Sequence, residues 1–153
     1  MKENATNRTI TNETKLFLNY YYKLMIDEDK NLLKYFEVSK DSDVTVIFDI
    51  EHIVPVNKFE KFDDELPISA LGNLCYLPVK DNRSKRDSTI YEYAKDRPSL
   101  TYDTEFLKVI DYPSRTDLSF IDCPYNQFLK PYNDMIEDRQ AKMINNFIKL
   151  IIK

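Results

Sequence analysis

The chain has 153 residues, with 22 basic and 26 acidic side chains and a formal net charge of −4. That length suits one hydrophobic core, read as a single domain over 1–153, and the acid excess excludes a module that grips nucleic acid through strong overall positive charge. No apolar run approaches the roughly 20 residues that span a bilayer, and Met1 to Asn7 contain no apolar leader core, so the expectation is a cytoplasmic protein with no membrane partner.

Leu16, Phe17, Tyr20, Tyr21, Leu24 and Met25 recur at three- and four-residue steps and predict an amphipathic helix from Asn12. Thr11 or Asn12 caps it, with Glu13 and Thr14 suited to its first turn. A short second helix over 29–37 presents Leu32, Leu33 and Phe36, so that 1–43 reads as N-terminal helices. The β-branched and aromatic run from Val44 to Ile50 predicts a strand, and Pro55 takes the chain out of the sheet. Residues 56–68 are charged and read as a surface loop, with Asp63 and Asp64 solvated. Leu74 to Leu77 form a second strand that Pro78 ends, and a helix follows at 84–96.

Pro98, Pro113 and Pro124 break the next stretch into short helices and turns. A last long helix runs from Asn133 to Lys149 or beyond, its stripe formed by Met135, Ile136, Met143, Ile144, Phe147, Leu150 and Ile151. The fold class is therefore α+β, a strand–loop–strand–helix core over 44–97 set among N-terminal helices and a C-terminal helical part over 98–153. Cys75 and Cys123 lack a CxxC spacing and read as packing residues, as do Tyr20, Tyr21, Tyr22, Tyr91 and Tyr93.

The chain's one histidine and one glycine both lie in this core. His52 follows Glu51 at the end of an apolar run and precedes Ile53-Val54-Pro55. Gly72 precedes Asn73-Leu74, and Lys80-Asp81-Asn82-Arg83-Ser84-Lys85 follows. In this order and spacing the residues resemble the HNH, or His-metal finger, nucleases. The likeness is greatest to the C-terminal HNH module of GmrSD-type, modification-dependent restriction nucleases, and the motif is also similar to the HNH domain of CRISPR effector nucleases. Ile136-Glu137-Asp138-Arg139, with Met143 beyond, is similar to the closing helix of the GmrSD-type modules. The likeness spans about 44–150 and is most specific over 48–85.

The resemblance implies a ββα-metal finger embedded in a mostly helical domain, acting as a metal-dependent endonuclease on DNA in restriction or phage defence. His52 would be the general base, since a neutral imidazole takes a proton near neutral pH. Asn73 joins it in the catalytic set by tying the loop to the strand, and Gly72 would supply a backbone angle that other residues resist. Glu51 and Asn82 would hold one Mg²⁺ or Mn²⁺, an ion that prefers hard oxygen ligands. Arg83, Lys85 and Arg86 would meet phosphate. Arg139 fits a structural role, pairing with an acid.

Three departures matter. Cys75-Tyr76-Leu77 stands where the family has residues such as Thr-Leu-Leu, the final ligand is Asn instead of His, and the chain has no Gly-rich phosphate loop. Between Lys80 and Arg97 six basic residues face four acidic ones, +2 locally against −4 overall. This imbalance points to a separate nucleotide-binding or DNA-recognition subunit as partner. The alternatives are a non-catalytic DNA-binding or interaction subunit that keeps the HNH fold, and an RNA-cleaving nuclease toxin.

Overall fold

The computed structural model describes residues 9–33, 37–40, 43–46, 48–63, 65–78, 88–95 and 104–152. Helix α1 spans Asn12–Glu28, and Thr11 caps it by accepting the Thr14 N–H at 3.2 Å. Its buried residues are Leu18, Tyr21, Tyr22 and Ile26, whereas Leu16 and Tyr20 are 68% and 51% exposed. The helix is thus rotated from the face the periodicity favours. Tyr22 stacks on Tyr76 with ring centroids 4.3 Å apart, and that contact turns the Leu18–Tyr22 side inward.

A 3-10 turn at Lys30–Leu32 stands where a second helix is expected, and Glu37–Lys40 is strand β1. It pairs antiparallel with β2, Asp43–Val46. Strand β3, Phe48–His52, pairs antiparallel with β4, Leu74–Pro78. The single strand expected over 44–50 is therefore two, because its two halves find different partners: Val46 faces Glu37 and Phe48 faces Pro78. Among the described residues, helices α2 (Ile90–Lys95), α3 (Thr104–Val109) and α4 (Tyr125–Ile151) follow. The fold mixes helices with antiparallel strands, in agreement with the α+β expectation.

The 56–68 segment is not a solvated loop. Phe59, Leu66 and Ile68 are buried, and Phe59 packs edge-on against Phe128 and Tyr132 at 5.3 and 5.0 Å. Its charges mask this, because Lys58, Glu60, Lys61, Asp63 and Glu65 surround the few residues that turn inward. Lys58 lashes the same segment to the next helix through Glu92 (2.8 Å) and to Asp122 (2.9 Å). Helix α2 begins with a reciprocal cap: Thr89 N–H donates to Glu92 Oε2, and Glu92 N–H donates to Thr89 Oγ1.

Helix α4 starts at Tyr125, eight residues before the expected Asn133, and runs through Pro131. An interior proline costs about 3 kcal/mol. Burial of Phe128 and Tyr132 offsets it, at roughly 1.5–3 kcal/mol for each such side chain. Farther along, α4 meets the 3-10 turn Leu71–Asn73 so closely that a Cβ added to Gly72 would stand 2.5 Å from Ile136 Cα and nearer still to its carbonyl oxygen. Gly72 has no positive φ. The glycine is needed for this backbone approach and not for an unusual angle, which corrects the reading from sequence.

Arg139, one turn on, is 3% exposed. Its guanidinium donates to the carbonyls of Gly72, Leu74 (3.0 Å), Ile110 (2.9 Å) and Asp111 (2.8 Å). The last two are presented by the end of α3, where Asp111 adopts φ 50°. There Asp111 N–H bonds to Lys108 O and Tyr112 N–H to Leu107 O, a Schellman closure. The Asp111 carboxylate lies 3.9 Å from Arg139, so the acid pairing expected of this residue is present but is secondary to the carbonyls.

Gly72→Ala is expected to cost at least the upper end of an overpacking penalty, about 3 kcal/mol. Urea unfolding of the two proteins measures it; a loss under about 1 kcal/mol would show that the α4 contact gives way easily.

Candidate active site

Strand β3 ends at His52, and the chain turns through Ile53 and Val54 to the buried Pro55. Neighbouring strand residues point to opposite faces, and the register separates the pair. Glu51 stands opposite Cys75, and His52 opposite Leu74. Both Glu51 and His52 are half-buried, whereas Leu74, Cys75, Tyr76 and Leu77 are all buried, so β4 is covered on both faces. On the Glu51 side lies Tyr112, whose phenol is pushed well above its ordinary pKa first by burial, then by the charges of Cys75 and Glu51. The Tyr112 hydroxyl accepts the Ile90 N–H at 3.3 Å, which anchors the first turn of α2.

On the other face, His52 Nε2 lies 2.9 Å from Ser69 Oγ. Ser69 was not singled out by sequence reasoning. Its only signal is proximity to Gly72-Asn73, since a Ser in a Pro-Ile-Ser-Ala stretch reads as ordinary turn chemistry.

Asn73 joins the two halves of this arrangement. It is fully buried. Its Oδ1 accepts the Val54 N–H at 2.9 Å, and its Nδ2 donates to the carbonyls of Val54 (3.1 Å) and Ile68 (2.9 Å). Its backbone carbonyl accepts the Ile53 N–H at 2.8 Å, and its own N–H donates to Ala70 O at 2.9 Å. Asn73 therefore touches backbone on both sides of the loop, beside His52 and beside Ser69. Sequence reasoning placed it in the catalytic set; the geometry makes it a positioning residue, because a side chain sealed in this way has no surface to offer a substrate.

Asn82, expected as the second metal ligand, and Arg83, Lys85 and Arg86, expected at phosphate, lie outside the described residues. Of the expected constellation, the structure brings His52 and the Gly72-Asn73 turn to one end of the β3–β4 hairpin, with Glu51 on the opposite strand face. Among the described residues no three His, Cys, Asp or Glu side chains gather as a metal-holding group, and no helix is long and apolar enough to cross a membrane.

No family model, curated protein or solved structure matches this chain. The likeness to the HNH nucleases therefore rests on the motif residues of the sequence alone.

Truncating the clamp should loosen the site and the fold together. Asn73→Ala leaves two carbonyls and an N–H buried without their partner, an expected loss of about 3 kcal/mol by unfolding. Amide exchange at Val54 should accelerate in the same variant while exchange within α1 does not. Unchanged protection at Val54 would show that the amide contributes little.

Proposed function

We propose that the chain is a metal-dependent HNH endonuclease that hydrolyses DNA phosphodiester bonds, in a restriction or phage-defence setting. In this reading β3, β4 and α2 belong to a ββα-metal finger. The observation that carries it is the Glu51-His52 pair at the end of β3, in a hairpin whose return strand opens on Gly72-Asn73 and whose Asn73 amide grips the residue two beyond His52.

The chemistry of the chain's own groups supports the reading. His52 is the general base: a neutral imidazole withdraws a proton from the attacking water. The expected products are a 5′-phosphate and a 3′-hydroxyl. Glu51 offers the hard carboxylate oxygen that Mg²⁺ or Mn²⁺ favours. It is half-buried, beside the base in sequence and on the opposite strand face. Asn82 would be its amide partner. One such ion would supply Lewis acidity at the phosphoryl group and stabilise the leaving oxygen. Arg83, Lys85 and Arg86 would hold the phosphate backbone by charge. Since the chain carries −4 overall, a separate nucleotide-binding or DNA-recognition subunit would provide much of the affinity for a duplex.

Supercoiled plasmid incubated with the protein and Mg²⁺ or Mn²⁺ tests this. The wild type should nick or linearise it, and His52→Ala should slow cutting on the order of 100- to 10,000-fold. Glu51→Gln should fail at metal concentrations that saturate the wild type. Equal cutting by wild type and His52→Ala would sink the mechanism. Metal binding that survives Glu51→Gln, with no cutting by any form, would favour the non-catalytic subunit.

A further inference from the structure

We propose that Ser69 is the positioning residue of His52: its hydroxyl takes the Nε2–H of the neutral ring, which leaves Nδ1 as the nitrogen that accepts the proton. The first support is the 2.9 Å contact between Ser69 Oγ and His52 Nε2, across 17 residues of chain. The second is that both partners are held from one point. On the histidine side, Ile53 and Val54 are bonded to Asn73. On the serine side, Ile68 and Ala70 are bonded to the same Asn73. The carbonyl of Pro67 also accepts the Tyr132 hydroxyl at 2.7 Å. With its neighbours fixed on both sides, the backbone at Ser69 cannot swing away, and the hydroxyl meets the ring in a set place.

A neutral imidazole has one N–H donor and one bare acceptor, and the bond made at one nitrogen decides the role of the other. Ser69 occupies the hydrogen-bonding direction of Nε2, so a substrate water cannot approach along it. A ring that works as a base must then keep Nδ1 bare and Nε2 protonated, with the serine oxygen as acceptor. This last step rests on the nuclease reading; the pairing of Ser69 with Nε2 does not. The opposite proton placement, hydroxyl donating to a bare Nε2, would describe a serine nucleophile with a histidine base. The two differ in tautomer and can be separated.

The chain's single histidine makes the measurement unambiguous. In ¹⁵N-labelled protein the pH is raised until the ring signals no longer move, so that the ring is neutral. The wild type should show Nε2 protonated and Nδ1 bare. Ser69→Ala should move both ring nitrogens toward the values of free histidine, and Ser69→Thr, which keeps the hydroxyl, should restore the wild-type pattern. Melting curves check that each variant is folded. In plasmid nicking, Ser69→Ala should lower kcat on the order of 10- to 100-fold with KM unchanged, and Ser69→Thr should recover it. A bare Nε2 in the wild type, or ring signals identical in wild type and Ser69→Ala, would overturn the proposal. Ring signals that respond as expected in a protein that cuts nothing would support the pairing and tell against the nuclease reading.

Discussion

The backbone contact between Gly72 and Ile136 is the constraint from which the neighbourhood of His52 is hung. Without a Cβ at position 72, α4 settles directly on the Leu71–Asn73 turn. Gln140 then reaches the Gly72 N–H at 3.3 Å, and Arg139 reaches the carbonyls on either side of Asn73. A buried guanidinium is costly unless its donors are used. Here they are spent on four carbonyls from two separate segments, so Arg139 fastens the turn before β4 to the end of α3 as well as to its own helix. The turn so held presents Asn73, and Asn73 in turn holds the backbone beside both His52 and Ser69. The chain of dependence runs from a helix–turn contact to an imidazole through hydrogen bonds.

Much of this was legible in the sequence where a signal has a single physical meaning. The Thr11 cap, the existence of α1 and the strand character of both halves of the 44–50 run follow from local chemistry. Thr89-Ile90-Tyr91-Glu92 carried a capping box that would have set the start of α2 at its true place. The failures come where tertiary contacts decide. Which face of α1 is inward depends on Tyr76 stacking on Tyr22, and Tyr76 lies 54 residues away in the chain. That Phe59, Leu66 and Ile68 are core residues depends on the aromatic cluster of α4, because their charged neighbours make the segment look solvated. The last helix starts at Tyr125 instead of Asn133 and runs through Pro131, with Phe128 and Tyr132 buried on either side of the proline in the chain.

The candidate site divides in the same way. The Glu51-His52 pair and the Gly72-Asn73 turn could be found as a pattern, and their approach follows from the β3–β4 register. What the pattern could not supply was the reason for each residue. Gly72 serves a close approach instead of a turn angle, and Arg139 serves carbonyls more than an acid. Ser69 had no pattern at all. Its partner is 17 residues away, and only the folded loop makes them neighbours.

If the α4 clamp holds the site, a change at Arg139 must be felt at His52 although the two do not touch in this account. Lysine keeps the charge of Arg139 but has one nitrogen in place of the planar fork, and cannot serve four carbonyls in two directions. The measurement is the ring spectrum of the single histidine in Arg139→Lys, together with amide exchange over 71–74. Lys130→Met serves as a control, because Lys130 pairs with Asp134 on the exposed side of α4. Arg139→Lys is expected to shift the His52 signals and to speed exchange at Asn73 and Leu74, with neither change in the control. Faster exchange at those amides with the His52 ring unchanged would contradict it, since the turn would then loosen without disturbing the residue it is held to position.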